Sequence, residues 1–199
     1  IAHGNFDLAL LQKAKDAGFS AVRRDLFWDV AERNGQYSFS EFESGLNNLS
    51  TLGMKVLWIL DYGHPDHGGV IPQTQSDIAA FGRFAQAAAD FGKQSRSAMG
   101  FEVWNEPNLQ NWWPNPDPIL YGSLYQAALS GVRSTDATIP VISGGVTIDE
   151  PSYLFKLAKS GLLANASGVG VHPYRKDTIV AASPSYKRTY VSPEMYANE

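Results

Sequence analysis

The sequence predicts an α/β fold with a parallel sheet, because segments typical of strands and of helices alternate along the chain. Five strand-like segments follow one another about 37 residues apart, which leaves room for a helix in each crossover, at 19–27, 54–61, 99–104, 139–146 and 169–172. The segment 54–61 is a continuous apolar run, as expected for a strand buried on both faces. The strand count alone permits either a doubly wound sheet or part of a barrel.

The predicted helices follow from apolar residues at helical spacing and from residues that suit a helix end. The first carries Leu8, Leu11 and Ala14 on one stripe. The second begins with a capping-box pattern from Ser40 to Glu43 and closes on a glycine. The five predicted helices are 7–17, 40–52, 76–91, 118–135 and 152–164.

Two later helices have clear end signals as well. The helix 76–91 carries a phenylalanine-rich stripe, and Gly92 is predicted to end it. The helix 118–135 begins with Pro118, and Asp117 before it is predicted to be the N-cap.

Composition excludes several classes of protein. The 199 residues carry 16 basic and 20 acidic side chains, a formal charge of −4, so we expect no nucleic-acid partner. The apolar runs are far shorter than the roughly 20 residues of a membrane span, so we expect none. The absence of cysteine excludes disulfides, thiolate metal sites and thiol nucleophiles.

Phosphate-binding and serine-hydrolase motifs are missing from the sequence. It contains no G-x-x-x-x-G-K-[ST] motif, and the G-x-G that begins at Gly168 has Pro173 at its sixth position. It contains no G-x-S-x-G nucleophile elbow either. A doubly wound nucleotide-binding domain therefore stays only as a disfavoured alternative.

Chemistry-bearing side chains collect just after the predicted strands, where parallel α/β folds place their sites. Aromatic ring faces stack on sugar rings, while carboxylates and amides bind hydroxyl groups. This mixture fits a carbohydrate better than a phosphate. The side chains concerned are Asp25, Phe27, Trp28, Asp61, Tyr62, His64, Trp104, Asn105, Glu106, Trp112, Trp113, His172 and Tyr174.

The segment 101–113, FEVWNEPNLQNWW, is the most informative stretch. Glycosidic cleavage requires a carboxylic acid that protonates the departing oxygen and a second carboxylate across the bond. Glu106, at the end of a strand and followed by Pro107, suits the first role. The neighbouring amide of Asn105 suits a hydrogen bond to the sugar 2-hydroxyl.

The chain resembles the (β/α)₈ glycoside hydrolases of clan A, and most closely their family 39-like members. The resemblance rests on runs in family order over nearly the entire chain: AGFSAVRRDLFW at 17–28, E-x-x-G-x-Y-x-F at 32–39, LDYGHP at 60–65, WNEPN at 104–108 and VHPY at 171–174. It implies an α/β TIM barrel and a retaining glycosidase without metal or cofactor, acting on a carbohydrate substrate. Such a substrate favours a secreted or periplasmic location.

The resemblance also implies roles for individual residues. Glu106 is the expected general acid/base, Asn105 the contact to the 2-hydroxyl, and Arg23 a group near the nucleophile. Together with the positions after the strands, this gives one catalytic residue, Glu106, and eight candidate substrate-binding residues, namely Asn105, Arg23, Trp28, Asp61, His64, Trp112, His172 and Tyr174. His64 and His67 form an H-x-x-H pattern without a third ligand at fixed spacing, so we expect no metal.

The five strands align with strands two to six of such a barrel, so residues 1–199 are predicted to form a partial catalytic barrel domain. The family's nucleophile is a Glu at the end of the seventh strand, which the sequence does not show. Glu150 follows the loop after the fifth strand of the family, so it does not fit that position. Glu194 opens a predicted sixth helix and Glu199 comes after the start of that helix, so neither of them fits it. We expect the remaining strands to come from the same full-length protein and the chain alone to be inactive. A carbohydrate-binding pseudoenzyme on the same barrel remains the alternative.

Overall fold

The computed structural model describes residues 6–147 and 151–172, in which helices and strands alternate. The helices are α1 (Leu8–Asp16), α2 (Trp28–Ala31), α3 (Ser40–Leu52), α4 (Gln75–Ser95), α5 (Pro118–Thr135) and α6 (Pro151–Lys159). The strands are β1 (Ala21–Phe27), β2 (Glu32–Arg33), β3 (Gln36–Tyr37), β4 (Lys55–Asp61), β5 (Ala98–Val103), β6 (Val141–Thr147) and β7 (Gly168–His172). Tyr174 and the predicted helix around Glu194 lie outside the described residues.

Five strands form one parallel sheet in the order β1-β4-β5-β6-β7, with a helix in each crossover between neighbours. This order confirms the predicted α/β architecture, since each strand pairs with the next long strand along the chain. β2 and β3 form a separate antiparallel hairpin. Within the described residues, β1 and β7 are the two edges of the main sheet.

The two faces of the sheet differ in character, because successive side chains of a strand point to opposite sides. One face carries Trp58 on β4 and both Phe101 and Val103 on β5, all fully buried in the core beneath the helices. The other face carries the alternate positions, among them Ile59, which pairs in register with Glu102. This second face, called the inner face below, carries the carboxylate of Glu102.

The ends of two helices differ from the predictions. Ser40 is the first residue of α3, and Phe39 before it makes no side-chain cap bond, so the predicted capping box is wrong. A capping box does form at α4, where the Thr74 side chain accepts from the Asp77 N–H. Gly92 does not end α4, because the helix continues to Ser95. A Cβ on Gly92 would lie 3.0 Å from the Cβ of Ala98, so this glycine permits close packing rather than a stop.

Other end signals are confirmed. Gly53 follows α3 with φ +63°, the left-handed conformation that glycine adopts without strain. Asp117 caps α5 by accepting from the N–H groups of Ile119 and Leu120, and Pro118 occupies the first turn. None of the helices in the described part of the chain is long and apolar enough to cross a membrane.

Candidate active site

The segment after β5 bends sharply at the carboxyl edge of the sheet. Trp104 and Glu106 have φ values of +68° and +49°, a conformation that costs free energy for residues other than glycine and that concentrates at functional sites. Hydrogen bonds hold the bend on both sides: Trp104 N–H donates to the Leu60 carbonyl at 2.9 Å, and Glu106 N–H donates to the Gly145 carbonyl at 3.0 Å. Strands β4 and β6 thus fix the direction of the segment that carries Glu106.

The carboxyl group of Glu106 meets His172 at the end of β7. Its Oε1 lies 2.8 Å from His172 Nδ1, and the side chains are only 12% and 14% exposed, respectively. An ionised carboxylate only accepts hydrogen bonds, so Nδ1 then donates, whereas a protonated Glu106 donates to an unprotonated Nδ1. The pair can therefore hold a proton on either partner.

Asn105 is buried, and hydrogen bonds fix the orientation of its amide. Arg23 Nη2 donates to Asn105 Oδ1 at 2.9 Å, and Asn105 Nδ2 donates to the Tyr62 hydroxyl at 3.2 Å. Because one neighbour donates and the other accepts, the amide has a single favourable orientation.

Arg23 is held by Glu102 on the inner face of the sheet. Its Nε and Nη2 donate to the two carboxylate oxygens at 2.6 and 2.8 Å, a bidentate arrangement. Burial by itself lowers the pKa of Arg23, but the hydrogen bond and charge of Glu102, helped by Asp25 and Asp61, raise it above its ordinary value. The guanidinium therefore stays charged beside Asn105.

Trp112 and Tyr62 form an aromatic pair at the rim. Their rings stack with centroids 5.3 Å apart and planes 9° from parallel, and Trp112 is 39% exposed. Trp104 Nε1 donates to the Trp112 carbonyl at 3.2 Å, and this hydrogen bond fixes the backbone of Trp112. Trp113, by contrast, is fully buried against Trp104 and Tyr121. Of the two adjacent tryptophans, only Trp112 can offer ring surface to a ligand.

Trp28 and His64, two of the predicted substrate-binding residues, are buried in the structure. Trp28 begins α2, which turns its ring back into the core, where it is fully buried and its Nε1 donates to Glu32 at 2.7 Å. His64 is also buried, and both of its ring nitrogens have partners, the Glu32 carbonyl and the Asp66 N–H. Both residues connect the α2 segment with the loop after β4, and a substrate contact of either residue stays a prediction.

Glu32 is the centre of that cluster. Burial by itself raises its pKa, but hydrogen bonds from His67, Trp28 and Tyr37 outweigh this effect, so the pKa of Glu32 is lowered. His67 stacks on Trp28 with centroids 5.0 Å apart. Among the described residues, no group of three or more His, Cys, Asp or Glu side chains is arranged to hold a metal ion.

Asp61 lies deeper than predicted, fully buried at the end of β4. Burial raises its pKa well above the usual range, and the nearby charge of Asp25 raises it further, while Arg23 opposes the shift. The raised pKa favours the protonated form of Asp61 in the folded protein.

This arrangement predicts how stability changes with pH. A group whose pKa is higher in the folded state contributes stability that is lost as the pH rises from its unfolded pKa, about 3.9 for Asp, towards the folded value. In the whole protein, Asp61→Asn is expected to flatten the fall in unfolding free energy as the pH rises above about 4. Urea unfolding at several pH values measures this slope. Asp29→Asn, at an exposed position, is the control, and an unchanged slope in Asp61→Asn would contradict the assignment.

Two glycines allow β6 to approach the site. A Cβ on Gly145 would overlap the imidazole ring of His172, and one on Gly144 would lie 2.5 Å from the Trp104 carbonyl oxygen. The predicted site residues include neither these glycines nor Glu102, and Tyr62 was predicted only as one of the side chains that follow a strand. The charge of Glu102 inside an apolar strand is the one sequence signal that could have marked it.

A parallel sheet with polar groups at its carboxyl edge is the arrangement of a TIM barrel, of which the chain covers part. The chain belongs to the cellulase family, glycosyl hydrolase family 5, whose model matches residues 5–198. The predicted resemblance to clan A is thereby confirmed.

The chain is also similar to individual glycosidases. The chain is 43% identical over 49 residues to a β-xylosidase of Geobacillus stearothermophilus. Among solved structures it is similar to a family 39 glycoside hydrolase from Bacteroides cellulosilyticus WH2 (TM-score 0.70, 24% identity, 86% of this chain and 35% of that chain). It is also similar to a monomeric β-xylosidase from Caulobacter crescentus CB15 (TM-score 0.68, 20% identity, 86% of this chain and 39% of that chain).

The likeness extends to a Pseudomonas stutzeri endoglucanase Cel5A that was solved with cellobiose (TM-score 0.60, 15% identity, 80% of this chain and 48% of that chain). At these identities the structural likenesses show the fold. The chain spans 10% of the Geobacillus xylosidase's length and less than half of each of these structures.

Proposed function

We propose that the whole protein is a retaining glycoside hydrolase that cleaves O-glycosidic bonds of an oligosaccharide or polysaccharide. The observation that carries this proposal is the position of Glu106 at the carboxyl end of β5, paired with His172 and adjacent to the fixed amide of Asn105. The nucleophile is proposed to be a Glu of a strand outside this chain.

In the first step, the nucleophile attacks the anomeric carbon, the glycosidic C–O bond breaks, and Glu106 transfers its proton to the departing oxygen. In the second step, Glu106 takes a proton from water, whose oxygen attacks the anomeric carbon and releases the nucleophile. His172 supports both steps, because its Nδ1 can hydrogen-bond either protonation state of Glu106.

Asn105 and Arg23 are proposed to bind the sugar around its 2-hydroxyl. The Asn105 amide is held by Arg23 and Tyr62, so it meets a substrate in one orientation. A hydrogen bond to the 2-hydroxyl strengthens in the transition state, so a fixed amide contributes to rate more than to ground-state binding.

The rest of the barrel is proposed to come from the same full-length protein. A closed barrel of this fold has eight strands, whereas the described residues form a five-stranded sheet with edges at β1 and β7. An edge strand presents N–H and C=O groups with which a further strand can pair. We expect the 199-residue chain alone to release no sugar, and hydrolysis by the purified chain would contradict this.

Trp112 is proposed to be a sugar-stacking platform. In the whole protein, Trp112→Ala is expected to raise the Kd for an oligosaccharide about tenfold, about 1.4 kcal/mol, because the ligand loses an aromatic face. Titration calorimetry on a variant that cannot turn over measures this change. Phe19→Ala is the control, since Phe19 is 62% exposed but lies before β1, at the amino ends of the strands and away from Trp112. Equal affinities for Trp112→Ala and the parent would contradict the role.

The second candidate is a non-catalytic carbohydrate-binding protein, which the exposed Trp112–Tyr62 stack would also serve. A glycan-panel assay on the whole protein separates the two functions. Release of reducing ends from at least one glycan supports the hydrolase. Saturable binding by calorimetry without any released reducing end supports the binding protein and overturns the hydrolase.

A further inference from the structure

Glu102 is a buried carboxylate whose role lies beyond the proton transfers of the proposed reaction. It lies on β5 between Phe101 and Val103, which pack beneath the helices, so its own side chain points to the inner face. Only 3% of the side chain is exposed, which leaves it no surface for a substrate.

Three hydrogen bonds occupy this carboxylate. Arg23 donates from Nε to Oε2 at 2.6 Å and from Nη2 to Oε1 at 2.8 Å, and the Gly145 N–H donates to Oε1 at 2.8 Å. A carboxylate that receives charge-assisted bonds in a bidentate geometry fixes both the distance and the plane of the guanidinium.

Both partners of Glu102 continue to the proposed catalytic segment. The Nη2 of Arg23 also donates to Asn105 Oδ1 at 2.9 Å, and the Gly145 carbonyl accepts the N–H of Glu106 at 3.0 Å. Glu102 is thus connected to both residues that the reaction uses. It reaches Asn105 through the Arg23 side chain and Glu106 through the main chain of Gly145.

We propose that Glu102 is a positioning residue that holds Asn105 in place for the sugar 2-hydroxyl by fixing the Arg23 guanidinium. This inference rests on the proposed glycosidase function. Glu102→Gln removes the charge and places an NH₂ group against Arg23, while its remaining oxygen can still accept the Gly145 N–H. The variant therefore weakens the hold of Arg23 on Asn105. It leaves the hydrogen bond between the Gly145 carbonyl and the Glu106 N–H in place.

The experiment compares an aryl glycoside with its 2-deoxy analogue on the whole protein. For Glu102→Gln we expect kcat/KM to fall about 10- to 100-fold on the 2-hydroxy substrate and less than about threefold on the 2-deoxy substrate. In an Asn105→Ala background, the same change is expected to add little, because both substitutions remove one interaction. Glu32→Gln is the matched control, a buried carboxylate with other partners, and it should affect both substrates alike.

A second variant keeps the test decisive if Glu102→Gln does not fold. Arg23→Met with Glu102→Leu replaces the pair by apolar groups of similar size, a change that buried ion pairs often tolerate. It should show the same selective loss on the 2-hydroxy substrate. Equal losses on both substrates, or no loss, would overturn the positioning role while the glycosidase function stands. A parent protein that cleaves neither these nor any other glycoside would overturn the proposed function itself.

Discussion

Replacing Glu106 by Gln in the whole protein is expected to slow the cleavage of glycosides with poor leaving groups roughly 10²–10⁴-fold. Glutamine keeps the shape of the side chain but cannot donate the proton that the departing oxygen needs. A dinitrophenyl glycoside needs no such proton, so its kcat/KM, which reports the steps up to bond cleavage, should change little. Steady-state rates on a series of aryl glycosides measure the difference.

Glu43→Gln, at an exposed position on α3, is the matched control and should leave every rate unchanged. An equal loss of kcat/KM on all leaving groups would show that the substitution disturbs the fold or substrate binding rather than proton transfer. Unchanged turnover of poor leaving groups would exclude Glu106 as the acid.

Arg23→Met is expected to lower the unfolding free energy of the whole protein by about 3–5 kcal/mol, because it leaves the buried carboxylate of Glu102 without its cation. The effect on stability is large because Glu102 then keeps only the Gly145 N–H among its three hydrogen bonds. Urea unfolding monitored by tryptophan fluorescence measures the change.

The control for this prediction is a second arginine pair on the surface. Arg33 lies 3.5 Å from Glu41, and both side chains are more than 60% exposed, so Arg33→Met should change stability by less than about 1 kcal/mol. A similar small effect for Arg23→Met would mean that the inner pair is not held as the structure indicates.

The alternation of strands and helices was predictable because local patterning determines it. Apolar runs such as 54–61 and stripes such as 76–91 require no knowledge of distant residues. Gly53 and Asp117 were predictable as helix ends for the same reason. The start of α3 was not predicted correctly. The sequence from Ser40 to Glu43 matches a capping box, but Ser40 is already the first residue of the helix and so is not its N-cap.

The candidate site was predictable where strand ends determine it. Glu106 follows β5 and His172 is the last residue of β7, and because parallel strands bring their carboxyl ends to one edge, the two side chains are in contact. The same rule did not predict the burial of Trp28 and His64, because it cannot tell whether the chain turns outwards or into the core after a strand. Arg23 pairs with Glu102, which lies 79 residues away along the chain, and no local sequence pattern predicts such a contact.

The most direct test of the account is azide rescue of Glu106→Ala in the whole protein, with a dinitrophenyl glycoside as substrate. Azide needs no general base, so it can take the place of the activated water in the second step. We predict that azide restores turnover and that NMR shows a glycosyl azide with the anomeric configuration of the substrate. Absence of the azide product, an inverted product, or full activity of the variant without azide would contradict the assignment of Glu106 as the acid/base of a retaining glycosidase.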